Sequence, residues 1–200
     1  EVYGSTNGWV NEDTAFNPST PYAVSRAAGD MSLLAYHNSY DIPMVMTRAA
    51  NVYGPGQQLY RIIPRSIMTA LTGEKLELHG GGQSVRSFIH IDDVSEGTVL
   101  AAQKGNNGSC YHISNDLQIS IRSLVVMILK QLDVSFEDAV EVVNDRRGKD
   151  QSYLLNSDRL RGLGWTDRKS LEVGISQTIT WAQKYLHALK VAPQSYYHKR

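Results

Sequence analysis

Residues 19–56 read STPYAVSRAAGDMSLLAYHNSYDIPMVMTRAANVYGPG. Ser19 or Thr20 can accept a hydrogen bond from the first free backbone N–H groups of a helix, and Pro21 suits a first turn, where a missing N–H costs nothing. The spacing predicts a helix to about Tyr40. Residues 44–53 (MVMTRAANVY) then read as a strand, ended by Gly54-Pro55-Gly56. A long helix feeding directly into an apolar strand is the repeating unit of layered α/β proteins.

The rest of the chain keeps that alternation. Upstream, residues 5–21 are rich in Ser, Thr, Asn and Pro and read as a loop, while Glu1–Gly4 reads as the end of a strand. Downstream, a helix is expected over 61–72, with Pro64 in its first turn, then a strand at Leu76–His79 and a turn at Gly80-Gly81-Gly82. Val85–Ile91 alternates as a strand, and Asp92 is expected to cap a helix at about 93–104. Strands follow at Cys110–Ile113 and Glu141–Asn144, with helices at 120–132, 158–163 and 170–189. The tail 190–200 is polar. The fold class is therefore α/β. No G-x-G-x-x-G or similar phosphate loop lies between a strand and a helix, since a strand follows the triglycine.

Composition narrows the function classes. The 200 residues are 42% hydrophobic and 20% charged, with Lys+Arg and Asp+Glu both at 20, so the formal charge is zero. That is globular usage without the basic excess of a nucleic-acid binder or a polybasic membrane anchor. No run nears the ~18 apolar residues of a membrane helix, and no signal peptide is visible. The single cysteine, Cys110, is read as a buried inert thiol and fits a cytoplasmic setting. His37, His112, His187 and His198 lack metal-ligand spacing and are read as structural or surface residues, so no metal is expected.

Five short motifs stand in a meaningful order: Glu1-Val2-Tyr3-Gly4, Pro21-Tyr22-Ala23-Val24-Ser25-Arg26, Asn51-Val52-Tyr53-Gly54-Pro55, Arg86-Ser87-Phe88-Ile89-His90-Ile91-Asp92-Asp93 and Arg146-Arg147-Gly148-Lys149-Asp150, followed by Leu163-Gly164-Trp165. Each alone is weak. Together, across residues 1 to about 188, they resemble the extended short-chain dehydrogenases that modify nucleotide sugars, with the nearest likeness to the dTDP-glucose 4,6-dehydratases. The resemblance implies the C-terminal part of a Rossmann-type, doubly wound parallel sheet (residues 1–60, with the catalytic tyrosine helix). A smaller α/β sugar-nucleotide-binding domain (61–190) and a tail (191–200) would follow. It also implies that the chain is a piece of a longer protein, with the NAD-binding glycine loop upstream.

What the resemblance implies chemically is concrete. NAD removes hydride from sugar carbon 4, water leaves across carbons 5 and 6, and hydride returns to carbon 6. Tyr22 matches the hydroxyl base and Arg26 its cationic partner, both also touching the cofactor. A free tyrosine titrates near ~10, and a cation one helical turn away favours the phenolate. Arg26 stands where the family has lysine, keeping the charge with a different geometry. Taken alone, the pair reads as two exposed residues on one helix face. Glu1 matches the base that takes the carbon-5 proton. Asn51, His79, Arg86, Arg146 and Lys149 match substrate-binding positions, with Arg86 and Arg146 as a guanidinium clamp on the diphosphate. The helix at 20–40, carrying Met31, Leu33, Leu34 and Tyr36, matches a dimer-forming helix, so a homodimer is expected. A sugar-nucleotide epimerase or decarboxylase, or a non-catalytic sugar-nucleotide-binding fragment, remain as alternatives.

Overall fold

The computed structural model describes residues 2–6, 8–144 and 154–194. In chain order the elements are β1 (Trp9–Val10), α1 (Pro21–Tyr40), β2 (Met46–Ala49), β3 (Asn51–Tyr53), α2 (Ile62–Thr72), β4 (Leu76–His79), β5 (Val85–Arg86), β6 (Phe88–His90), α3 (Ile91–Lys104), β7 (Cys110–Ile113), β8 (Ile119–Ser120), α4 (Ile121–Gln131), α5 (Phe136–Ala139), β9 (Val140–Val143), β10 (Leu154–Leu155), α6 (Asp158–Arg161), α7 (Leu171–Lys184) and α8 (Leu186–Lys190). Helices alternate with strands, and the strand pairs β1–β10, β2–β7 and β4–β9 are all parallel. The α/β expectation holds.

The described residues fall into two compact units that interleave along the chain. One takes residues from 1–52, 84–118 and 147–169; the other takes 53–83, 119–146 and 170–200. Each unit thus draws on three separate stretches of the chain.

In the first unit, Ala50, Ile89, Ala101, Tyr111, Ile113, Leu160 and Trp165 form one buried cluster. Gly97 in the middle of α3 is explained by it. An added Cβ there would sit 3.0 Å from Trp165 Nε1 and 3.1 Å from Leu160 Cδ2. Trp165 Nε1–H donates to the Asp93 carbonyl at 3.0 Å. The Asp93 carboxylate, only 2% exposed, accepts the backbone N–H groups of Arg168 and Lys169, both at 3.1 Å. That pair of bonds satisfies a carboxylate that burial would otherwise penalise. The cap of α3 differs from expectation: the helix begins at Ile91, and His90 caps it through Nδ1, which accepts from the Asp92 N–H at 3.2 Å.

In the second unit, β4 and β9 pair as Leu76↔Val140 through His79↔Val143 over a core of Leu76, Leu78, Val125, Leu129, Ala139 and Val140. The triglycine is a left-handed turn, with φ of 58°, 63° and 71°. Gly82 also approaches α4 so closely that a Cβ would stand 2.7 Å from the Arg122 backbone nitrogen. Only glycine meets both demands. The single helix expected over 170–189 is two helices, broken at Tyr185 (φ −108°, ψ 14°). The long strand expected at 44–53 is interrupted at Ala50, giving β2 and β3.

Candidate active site

Helix α1 carries the first candidate pair. Thr20 caps it, its side chain accepting from the Ala23 N–H at 3.1 Å, and Pro21 takes the first helical position. Tyr22 therefore sits in the first turn, with 61% of its surface exposed. Arg26 lies one turn further on the same exposed face. Of the twenty residues of α1, only Ala23 and Ala27 are buried, so the helix anchors on one narrow stripe and leaves the phenol and guanidinium open.

Asn51 and Arg86 form a second grouping. The Asn51 backbone N–H and side-chain amide both donate to the Ser87 carbonyl, at 3.2 and 3.0 Å, which places Asn51 beside the residue that follows Arg86. Arg86 is 9% exposed, and one guanidinium N–H donates to the Val85 carbonyl at 2.8 Å. Behind them, Ser87, Ser114, Asn115 and Ser157 make a buried hydroxyl–amide network. Ser87 Oγ donates to Asn115 Oδ1 at 2.7 Å, and Asn115 Nδ2 donates to the Phe88 carbonyl at 2.7 Å. That network holds the strand ends that carry Asn51 and Arg86. His79 ends β4 in the other unit, half-buried, its Nδ1 3.1 Å from the Asn144 carbonyl. Glu1, Arg146 and Lys149 lie outside the described residues.

Several residues read as plain structure or surface do more. Arg159 pairs with Asp13 at 2.8 Å and Glu12 at 3.7 Å. His112 is fully buried and bonds through both ring nitrogens, to Tyr3 Oη at 2.8 Å and to the Asn156 carbonyl at 3.2 Å. Burial pushes its pKa down to about 4, against the pull of the Glu12 carboxylate. Tyr3 is buried too, and desolvation pushes its phenol up to about 12. No spacing signal joins positions 3 and 112; only the fold does. Cys110 behaves as expected, 7% exposed, with burial pushing its thiol up to about 11. It edges a cleft of about 460 Å³, with Met46, Arg48, Arg159 and Glu12. Met46 and Cys110 begin their strands, whereas ligands of open α/β sheets bind at the carboxyl ends. Neither Tyr22 nor Arg26 lines this cleft.

For a dinucleotide, the chain offers the Tyr22–Arg26 face and no glycine loop of its own. The phenol and guanidinium have the hydrogen-bonding groups to suit the hydroxyls of a nicotinamide ribose. Among the described residues, no helix is long and apolar enough to cross a membrane.

Parallel strand pairs with intervening helices, and a tyrosine–arginine pair opening the long helix, define a Rossmann-type α/β protein of the short-chain dehydrogenase kind. The chain belongs to the NAD dependent epimerase/dehydratase family, whose model matches residues 1–115. It is 35% identical over 187 residues to the dTDP-glucose 4,6-dehydratase of Streptomyces griseus, covering 92% of this chain and 57% of that protein. It is 34% identical over 185 residues to an Arabidopsis thaliana trifunctional enzyme whose first named activity is UDP-glucose 4,6-dehydratase, covering 90% of this chain and 28% of that protein. Among solved structures, the Streptomyces venezuelae dTDP-glucose 4,6-dehydratase with NAD bound superposes with a TM-score of 0.90 at 34% identity, over 94% of this chain and 59% of that one. A Bacillus cereus UDP-glucuronic acid 4-epimerase with NAD reaches 0.86 at 28% identity, over 92% of this chain and 59% of that one. The chain thus spans between about a quarter and three fifths of the relatives it matches.

Proposed function

We propose that the protein carrying this chain is an NAD-dependent dehydratase that converts a nucleoside-diphosphate hexose to its 4-keto-6-deoxy form. The observation that carries this reading is the Tyr22–Arg26 pair, one turn apart on the open face of α1, in a chain 35% identical to a named dehydratase. Bound NAD supplies the hydride acceptor for carbon 4 and the donor for carbon 6. The chain's own residues do the rest. Tyr22 takes the proton of the carbon-4 hydroxyl, and Arg26 faces the same side as a fixed positive charge. Glu1 removes the carbon-5 proton, which the neighbouring ketone has acidified, and the carbon-6 hydroxyl takes a proton from a general acid as its bond to carbon breaks, leaving as water. Arg86 and Arg146 clamp the diphosphate, with Lys149, Asn51 and His79 holding the rest of the sugar nucleotide.

We further infer that the protein is a cytoplasmic homodimer joined through α1, where Met31, Leu33 and Tyr36 are exposed. A 4-epimerase is the second reading, favoured by the TM-score of 0.86 to one. Incubating the full-length protein with NAD and dTDP- or UDP-glucose separates them by mass. Loss of one water supports dehydration, an isomer of unchanged mass supports epimerisation, and no product overturns both.

A further inference from the structure

We propose that Asn115 is a positioning residue for the sugar nucleotide: its side-chain amide fixes the Ser87 backbone, from which both Asn51 and Arg86 take their places. The inference rests on the dehydratase reading for the roles of Asn51 and Arg86. It goes beyond that reading in naming what sets the spacing between them.

It begins at one end of the sheet. β2 and β7 run parallel, in register up to Ala49↔Ile113. Asn51 and Asn115 each stand two residues past that pair. Both therefore lie at the carboxyl edge, where open α/β sheets bind their ligands. Ser87 meets both of them there, in the break between β5, which Arg86 ends, and β6, which Phe88 begins.

The Asn115 amide has one possible orientation. The Leu117 N–H can only donate, and it reaches Oδ1 at 3.3 Å. The Phe88 carbonyl can only accept, and Nδ2 donates to it at 2.7 Å. Oδ1 also accepts the Ser87 hydroxyl at 2.7 Å. One side chain thus holds the hydroxyl of residue 87 and the carbonyl of residue 88. Ser87 Oγ in turn accepts from Ser114 Oγ at 3.2 Å. Ser114 is itself tied to Ser157, whose hydroxyl accepts the Ser114 N–H at 2.8 Å and donates to the Ser114 carbonyl at 3.1 Å. Ser87, Ser114, Asn115 and Ser157 are all buried, so a bond lost here leaves its partner unpaired away from water.

Two substrate-binding side chains hang from Ser87. Its carbonyl accepts the Asn51 backbone N–H at 3.2 Å and the Asn51 amide at 3.0 Å. On its other side Arg86 turns a guanidinium N–H onto the Val85 carbonyl at 2.8 Å, so the direction of the guanidinium follows the backbone of residues 85–87. An amide that pins residues 87 and 88 therefore fixes the asparagine and the arginine relative to each other. Affinity for a diphosphate depends on that spacing, because guanidinium–phosphate bonds are directional. Proton transfer at the sugar belongs to Tyr22, so a loosened Ser87 segment weakens binding and leaves turnover intact.

The test uses the full-length protein with NAD, with dTDP and UDP as binding probes and dTDP- or UDP-glucose as substrate. Asn115→Ala removes the amide, and Ser87→Ala removes only the hydroxyl that it holds. Both variants are expected to bind the nucleoside diphosphate about tenfold more weakly by calorimetry, with KM raised to match. Their kcat stays within about twofold of wild type and their NAD content is unchanged. Should Asn115→Ala fail to fold, Ser87→Ala decides alone. Folded variants that bind dTDP and UDP as wild type does overturn the proposal, as does a loss of kcat and NAD together with affinity, and either result leaves the dehydratase reading standing. A wild type that binds a nucleoside diphosphate but dehydrates no hexose overturns that reading alone, and the binding data still decide the role of Asn115. A wild type that binds neither dTDP nor UDP overturns both.

Discussion

The open face of α1 and the buried chain around Tyr3 carry polar residues in opposite ways. Tyr22 and Arg26 are exposed, four positions apart, and make no demand on the rest of the fold. Tyr3, Arg48 and His112 come from three places in the chain; Tyr3 and His112 are buried, the Arg48 side chain is 12% exposed, and hydrogen bonds join the three. Exposed groups are available for chemistry and contribute little to stability; buried ones hold geometry and fail together when one is removed. Mutations at the two places should therefore separate activity from stability.

The largest separation is expected at Tyr22. Tyr22→Phe in the full-length enzyme should lower kcat about a thousandfold, the usual worth of a positioned acid–base group. Its melting temperature should stay put, because the hydroxyl lies on a residue 61% exposed. Steady-state rates and a melting curve on the same preparation check this; a variant that loses little activity breaks the contrast at its catalytic end.

Arg48→Met is the counterpart at the buried end. It strands the Asp30 carboxylate, removes a donor from Tyr3 and empties a cation from over the Phe16 ring. The Arg48 side chain is 12% exposed, so breaking the pair should destabilise by about 3 kcal/mol. Denaturant unfolding measures it. A loss below about 1 kcal/mol would mean that the ion pair behaves like a surface one.

How much of this was legible without coordinates follows from sequence distance. Tyr22 and Arg26 sit within one helical turn, so a local pattern finds them, as it finds the strands at Leu76–His79 and Cys110–Ile113. Tyr3 and His112 are 109 positions apart and meet only because β2 and β7 pair in register, with Arg48 opposite His112. The two-residue strands β1 and β10 went unseen for the same reason, since each is a strand only in the presence of the other. Asp92 looked like a cap because Asp is a common one, yet its neighbour Asp93 is the buried acid and His90 supplies the cap. Arg159 carries no local signal either, because its partners Glu12 and Asp13 are nearly 150 residues away.

The buried chain also makes an acid-sensitive prediction. His112 is neutral in the folded protein down to about pH 4, while an unfolded histidine takes up a proton near ~6.5. Above ~6.5 both states hold it neutral and nothing is lost. Between ~6.5 and 4 the unfolded chain binds a proton that the native one refuses, so stability drains as pH falls, by about 3 kcal/mol over the window. Glu12 and Tyr3 face the ring, with Arg48 behind the phenol. Protonation would turn Nε2 into a donor aimed at a hydroxyl whose oxygen already accepts from Arg48. Denaturant midpoints measured from pH 7 to pH 4 in wild type and His112→Gln should diverge, with the variant flatter. Parallel curves would place the acid sensitivity elsewhere.

The smallest effect lies where the two regions share an element. Thr20 caps α1 through its side-chain oxygen, and Tyr22 follows two residues later. Thr20→Ala removes that acceptor and should cost about 1 kcal/mol, or a melting shift of about 2–4 °C for a chain of this size. Since the cap fixes the turn that carries the phenol, kcat should also fall by a few-fold, while Thr20→Ser, which keeps the oxygen, restores both. The middle of α1, where Asp30 joins Arg48, lies nearly three turns from Thr20 and keeps its bonds, so the pH dependence traced to His112 should be unchanged in Thr20→Ala. A cap variant that altered that dependence would show that the open face and the buried chain move as one body rather than two.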